Sequence, residues 1–429
     1  MRMKICLHGL EIKHQNQLLG LVRNLLPDCL SKYKVKDKYL DDDDTYKYRE
    51  ARFKPKTIDG INVICAYGTM TVNDKSLPIS DVIVDFDNTS ELAVKFVKEF
   101  VNKLLDGKNR FVLAEPNFDL RIAMLKGRLH LDELATYDEE KAGCLAYTHL
   151  PWQVYEINRV WEVVLTHEDD KPLIRQLRVK IRRLRSVISL LSPLFNEDEL
   201  EAWQKVWKSF FDGLAGVREL DVALLACERI TRMDEGKEEK GVPLLEKILD
   251  EKKNAAMHEY LGKLKLNAIT KEHTDFLIWL YTTKLVEETS TCKLQDFLLL
   301  RFTKWSNKLL ELTEKYPDTT DMVSLHKIRI KLKRFRYALE SVPEIKKSTE
   351  LLRSLKNLQD SLGLLHDDFV GEELLESIMN EYPGNKELHY EIALFKGWDK
   401  GKASSALENF PIMWDNFCNL LRNWQNANL

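Results

Sequence analysis

The chain has 429 residues, 44% hydrophobic and 31% charged: enough apolar material for real cores, too much for disorder, and a length that favours two or three domains over one. Its 65 Lys and Arg nearly cancel its 68 Asp and Glu, for a net charge of -3, which excludes a uniformly basic nucleic-acid coat but not local charge segregation. Seven scattered cysteines with no C-x-x-C pair fit reduced cytosolic thiols, not a disulfide framework or a zinc knuckle.

In chain order, the opening MRMKICLHGLEIKHQ breaks its apolar residues with charges, so no signal peptide is expected. Asp41–Asp44 reads as a solvated loop, because four consecutive aspartates cannot all face one magnesium ion. INVICAY (Ile61–Tyr67) and ISDVIVDF (Ile79–Phe86) are β-branched runs, predicted strands on either side of a polar turn at Asn73 and Asp74. Ser90–Leu105 predicts an amphipathic helix with Leu92, Val94, Phe96, Val97, Phe100, Val101 and Leu104 apolar. Residues 1–140 are therefore expected to form an α+β domain.

From Pro151 the pattern is helical almost to the end, with Pro172, Pro193, Gly213, Gly241, Pro317, Pro343 and Gly363 expected at helix junctions. Trp203, Trp207, Trp279, Trp305, Trp398, Trp414 and Trp424 are expected as core anchors. Apolar runs such as Phe276–Tyr281 are too short to span a bilayer. A soluble, cytoplasmic protein that avoids membranes is expected.

An internal repeat organises the helical part. Ile174–Leu190 (IRQLRVKIRRLRSVISL) aligns without gaps on Leu325–Ser341 (LHKIRIKLKRFRYALES), and Asp212–Val222 matches Asp360–Val370 at nearly the same separation. This is a duplicated helical unit. On a helix advancing about 100° per residue, Ile174, Leu177, Ile181, Leu184, Ile188 and Leu191 form one apolar face. Arg175, Arg178, Arg182 and Arg185 follow one residue later as a cationic stripe. In the second copy Leu325, Ile328, Leu332, Phe335 and Leu339 are apolar, while His326, Arg329, Lys333 and Arg336 form the stripe. Lys180, Arg183, Lys331 and Arg334 widen the positive surface.

Like charges at these spacings cost a few tenths of a kcal/mol per pair in an isolated helix. A merely solvated face normally alternates signs, yet neither Lys171–Leu190 nor Val323–Leu339 contains an acidic residue. An anion is expected to hold the charges in place. One phosphate needs only two or three donors, whereas each stripe runs about 15 Å along its helix. A long, thin polyanion fits, with arginine forks on its phosphate oxygens. Base-reading polar side chains and interleaved stacking aromatics are missing, Tyr337 being the one candidate stacker, so nucleic acid is not the expected partner.

The pattern H-x-x-R-x-x-x-[KR]-R-x-R followed by L-G-x-x-[RH]-D-x-x-V, twice over in a helical region, resembles the CHAD domain (conserved histidine α-helical domain). The second copy supplies His326, Arg329, Lys333, Arg334 and Arg336, then Leu362, Gly363, His366, Asp367 and Val370. The first has Arg175 in the histidine's place, then Arg178, Arg182, Arg183 and Arg185, with Arg218, Glu219 and Val222 following. The resemblance covers residues 150–429, in halves at about 150–285 and 290–429. It implies two pseudo-symmetric four-helix bundles around a basic channel that binds inorganic polyphosphate. It also adds Arg218 and His366 to the binding residues, and implies His326 and His366 as phosphate-facing or helix-capping donors, not zinc ligands.

Ile61–Leu105 is similar to the closing part of a CYTH domain, the tunnel fold of triphosphatases, with Asp81 and Asp85 matching two metal-facing carboxylates. The opening E-x-E-x-K is absent, Lys4, Cys6 and His8 standing at the nearest positions. The segment before Ile61 is expected to be too short for the usual cationic strands. A degenerate, inactive CYTH-like domain is therefore expected, with no catalytic residue, metal ligand or cofactor assigned. The expected whole is a polyphosphate-binding protein of the cytoplasm, associated with polyphosphate granules. The alternatives are a metal-dependent CYTH-type triphosphatase whose helical domain captures polyphosphate, and an RNA-binding or scaffold protein.

Overall fold

A computed structural model describes residues 2–26, 30–41, 44–55, 58–72, 75–125, 141–166, 173–233, 241–263, 267–315, 322–342 and 349–428. Among them, an antiparallel sheet is followed by a large helical region. The strands are β1 (Arg2–Gly9), β2 (Leu30–Asp41), β3 (Asp44–Lys54), β4 (Asn62–Val72), β5 (Lys75–Asp87) and β6 (Phe111–Ala114). They form one six-stranded sheet in the order β2-β3-β4-β5-β1-β6.

The predicted strand Ile79–Phe86 lies inside β5, and Ile61–Tyr67 overlaps β4 from Asn62 onward. The expectation that the segment before Ile61 is too short for the usual cationic strands is corrected, because β1, β2 and β3 all precede it and β2 and β3 carry several Lys and Arg residues. In β2, Lys32, Lys34, Lys36 and Lys38 alternate with Tyr33, Val35, Asp37 and Tyr39, a period of two that its low apolar content makes easy to pass over. Asp41 and Asp44 are cross-strand partners closing the β2–β3 hairpin. Asp42 and Asp43 lie outside the described residues, as do Asn73 and Asp74. Gly68 of β4 is fixed by close approach: a Cβ there would lie 2.0 Å from the Lys47 carbonyl oxygen.

Helices α1 (Gln15–Leu25) and α2 (Glu91–Leu105) pack on β4 and β5. Ser90 caps α2, its hydroxyl accepting from the Ala93 N–H at 3.3 Å. The buried stripe of α2 is Ala93, Val97, Phe100, Val101 and Leu104, and Leu92 falls off it at 68% exposed, against expectation.

The remaining helices are α3 (Phe118–Leu125), α4 (Cys144–Thr166), α5 (Leu173–Leu191), α6 (Glu197–Gly213), α7 (Ala215–Met233), α8 (Pro243–Lys263), α9 (Ala268–Thr282), α10 (Glu287–Ser290), α11 (Leu294–Lys315), α12 (Met322–Ser341), α13 (Thr349–Glu381) and α14 (Lys386–Asn428). One expected junction, Gly363, is interior to α13 instead, and α4 begins before Pro151, the expected start of the helical pattern, and runs through it. Neither breaks its helix, because tertiary packing outweighs the local preference. Gly213 ends α6, Pro193 sits in a short turn of 3-10 helix, and Gly241 (φ 60°) precedes α8. Pro172, Pro317 and Pro343 lie outside the described residues. No described helix is long and apolar enough to cross a membrane.

The chain divides into two compact units that interleave in sequence. The first comprises Met1–Leu184, Leu191–Phe210 and Leu264–Thr291. In it the sheet is joined to helices: α4 and α9 pack on β6, and α9 on α2. Asn267, just before α9, locks the joint. Its Oδ1 accepts from the Phe111 N–H at 3.0 Å, and its Nδ2 donates to the carbonyls of Leu105 and Asn109 at 2.6 and 3.0 Å. Trp203, Trp207, Phe276 and Trp279 form an aromatic cluster on α6 and α9.

The second unit comprises Arg185–Leu190, Phe211–Lys263 and Cys292–Leu429. Leu224, Cys227, Leu245, Leu249, Leu375, Ile378, Ile392 and Phe395 pack α7, α8, α13 and α14 around one core. Glu391 of α14 accepts from the N–H groups of Leu244 and Leu245 at 3.2 and 2.7 Å, satisfying the first turn of α8.

Candidate functional site

The apolar face expected on α5 is fully buried: Ile174, Leu177, Ile181, Leu184, Ile188 and Leu191. The stripe beside it is graded. Arg175 is exposed, while Arg178, Arg182, Arg183 and Arg185 are half-buried. Lys180, beside the stripe, pairs with Glu156 of α4. Burial opposes the Glu156 carboxylate, yet Lys180 and Arg159 outweigh burial and hold its pKa low. Arg185, in the second unit, lays its guanidinium over the Phe211 ring, 5.5 Å from the centroid. Arg301 of α11 donates to the carbonyls of Ser189 and Leu190, both at 2.8 Å, and so caps the end of α5. A single arginine in the apolar run LLLRF gave no signal of that role.

On α12 the expected face of Leu325, Ile328, Leu332, Phe335 and Leu339 is buried in the same way. His326, Arg329, Lys333 and Arg336 are half-buried beside it, and Lys331 and Arg334 are exposed. Burial first, then the charges of Arg329 and Lys333, lower the pKa of His326. The stripe's members are thus close enough to repel one another.

Arg336 stands 3.5 Å from Glu340 and lies over the Tyr337 ring, 5.0 Å from its centroid. Tyr337 itself is buried, so it is not a surface for stacking bases. Ile330, by contrast, is 46% exposed, so not every aliphatic residue between the stripe cations faces the core. In the second repeated block, Arg218 is half-buried on α7, while the His366 side chain lies outside the described residues although its backbone is in α13.

The sheet carries a second polar cluster. Register places Lys4, Cys6 and His8 of β1 opposite Asp85, Ile83 and Asp81 of β5. Asp81 is wholly buried: one oxygen is 2.7 Å from His8 Nδ1, and the other accepts from Arg121 Nη1 at 2.8 Å. Arg121 also donates to Cys6 Sγ at 3.1 Å and to the Glu115 carbonyl at 3.0 Å. Burial opposes the Asp81 carboxylate, but Arg121 and His8 outweigh it and lower its pKa. Burial opposes the His8 imidazolium, but Asp81 outweighs it and raises that pKa. Burial raises Glu115 to about 7. Asp85 pairs with Arg2 at 2.9 Å. The carboxylates expected to face a metal are thus engaged by cations, and the described residues contain no group of three or more metal-ligating side chains. Arg121, the centre of this cluster, escaped sequence reading because it lies outside any repeat or motif.

Against known proteins, the CHAD domain family model matches residues 153–376. The crystal structure of the CHAD domain from the plant Ricinus communis is similar, at 21% identity and TM-score 0.53 over 66% of this chain and 94% of that one. PptA from Streptomyces chartreusis aligns at 16% identity and TM-score 0.47 over 64% of this chain and 99% of that one. A search of curated proteins finds no match. At 21% identity the likeness to the Ricinus communis domain is one of fold.

Proposed function

The chain belongs to the CHAD domain family, and we propose that it binds inorganic polyphosphate through the cationic stripes of α5 and α12. The carrying observation is the crowding on α12, where His326, Arg329, Lys333 and Arg336 line up half-buried beside a fully buried apolar face, and where burial first, then Arg329 and Lys333, lowers the pKa of His326. Like charges so placed are stabilised by an anion with regularly spaced oxygens. Arg175, Arg178, Arg182, Arg183 and Arg185 contribute from α5, and His326, Arg329, Lys331, Lys333, Arg334 and Arg336 from α12. Arg218 and His366 join them from the second repeated block. Lys180, which Glu156 also pairs with, contributes from α5 as well. Residues 150–429 act as the binding domain, and residues 1–140 as a degenerate CYTH-like domain. In this reading the chain holds polyphosphate without hydrolysing it, in the cytoplasm and at polyphosphate granules. The engaged state of Asp81 supports binding without hydrolysis, since metal-assisted cleavage needs open carboxylates.

The test is a titration with long-chain polyphosphate, ATP and orthophosphate in parallel. Long chains are expected to bind far more tightly, because a short anion reaches only part of a stripe. Equal affinities would remove the multivalent reading.

A pH dependence follows from His326. Its lowered pKa leaves it neutral in the free protein at neutral pH, whereas a bound polyanion favours the imidazolium. Binding therefore takes up a proton, and affinity is expected to rise as pH falls from about 7 towards 5. Proton uptake on binding, measured by calorimetry in buffers of different ionisation enthalpy, should shrink in His326→Gln. Unchanged uptake in that variant would assign the proton elsewhere.

A further inference from the structure

Gln359 of α13 is 4% exposed, and neither its amide nitrogen nor its amide oxygen has a hydrogen-bond partner among the described residues. A buried amide in that condition destabilises the fold until a partner arrives. One observation places its face of α13 beside the α12 stripe, and the other copy of the repeat offers a parallel. Gly363 lies one turn further along the same face of α13, and a Cβ there would sit 3.8 Å from Arg329 Nη2. In the other copy of the repeat, Phe211 occupies the position aligned with Gln359, and its ring carries Arg185. Arg185 aligns with Arg336, whose guanidinium lies over Tyr337 instead. The position touches the stripe in the first copy, and in the second it holds a neutral amide.

We propose that Gln359 is a ligand-binding residue, its amide N–H group donating to a phosphate oxygen of a polyphosphate chain held by the α12 stripe. The assignment rests on the polyphosphate reading and deepens it. Because glutamine is uncharged, it displaces no condensed counterion. It adds contact strength and fixes the orientation of one phosphate without adding to the salt dependence, unlike every arginine and lysine of the stripes.

The experiment compares Gln359→Met and Gln359→Glu with the parent for binding to long-chain inorganic polyphosphate at several salt concentrations, and for thermal melting without ligand. Gln359→Met should bind about tenfold more weakly. Its salt slope should equal the parent's, and its melting temperature should be equal or higher, since an unpaired amide is gone. Gln359→Glu keeps the shape but presents an anion, and should bind more weakly still. Parent-like affinity in Gln359→Met would overturn the assignment and leave the amide to an ordered water. So would a loss accompanied by a flattened slope, which would mean that Gln359 acts by holding the cations. Should Gln359→Met fail to fold, parent-like affinity in Gln359→Glu overturns the assignment by itself. A parent that binds no polyphosphate would sink the functional reading as well, and that failure is distinct because it shows before any substitution.

Discussion

Replacing Arg178, Arg182 and Arg185 together by alanine is expected to weaken polyphosphate binding about 10²- to 10³-fold, at roughly tenfold per lost charged contact. Replacing Arg329, Lys333 and Arg336 should weaken it comparably, because the two stripes are copies of one design. Folding should survive both changes. The apolar faces of α5 and α12 are untouched, and relief of like-charge repulsion offsets part of what is lost. The contacts given up include Arg185 over Phe211, Arg336 beside Glu340 and Arg336 over Tyr337, partly exposed interactions worth about 1 kcal/mol each at most. Melting temperatures should therefore stay within about 4 °C of the parent. If one triple variant binds normally while the other loses everything, the unaffected stripe is a solvated face and takes no part.

The largest effect on stability is expected at Arg121. Removing one partner of a buried ion pair typically costs about 3–5 kcal/mol, because the other charge is left in the interior. Arg121→Ala leaves Asp81 with His8 as its remaining charged hydrogen-bond partner among the described residues, and also takes a donor from Cys6. Denaturant unfolding should show the loss directly. A loss below about 1 kcal/mol would show that water replaces the guanidinium.

The pH dependence of the same measurement has a definite sign. Asp81, with a lowered pKa, contributes stability that is present above the ordinary carboxylate range and is lost as pH falls through its lowered value. His273 acts in the same direction, since burial lowers its pKa to about 3. Below the ordinary imidazole range the unfolded chain takes up a proton that the folded chain refuses. Glu115, raised by burial to about 7, opposes this between about pH 7 and 4.5, so the steady decline is expected below about pH 4.5, and its most acidic part should flatten in Arg121→Ala.

The helical half was the more legible. Its apolar faces recur at three and four residues, and burial of Ile174 through Leu191 and Leu325 through Leu339 follows that pattern. The repeat also made the stripes visible, since two copies of an unusual charge pattern are hard to attribute to chance. What escaped was set by tertiary context. β2 alternates with a period of two, but its four lysines leave too little apolar content for it to stand out. Pro151 and Gly363 marked no boundary, because packing on neighbouring helices holds α4 and α13 together across them. Lys180 stood with the stripe in sequence, yet a glutamate 24 residues earlier on another helix claims it. The Asp81–Arg121 pair joins residues 40 apart, and no periodicity reports such a contact.

The most direct test of the central claim is the salt dependence of polyphosphate affinity in the unmodified protein. Cationic stripes that displace condensed counterions give a straight line of log affinity against log salt, with a slope near -0.7 to -0.9 per neutralised phosphate. With at least six phosphate contacts shared between the stripes, the slope should reach roughly -4 or steeper. An affinity that hardly changes between low and physiological salt would contradict the claim that the stripes of α5 and α12 bind the polyanion.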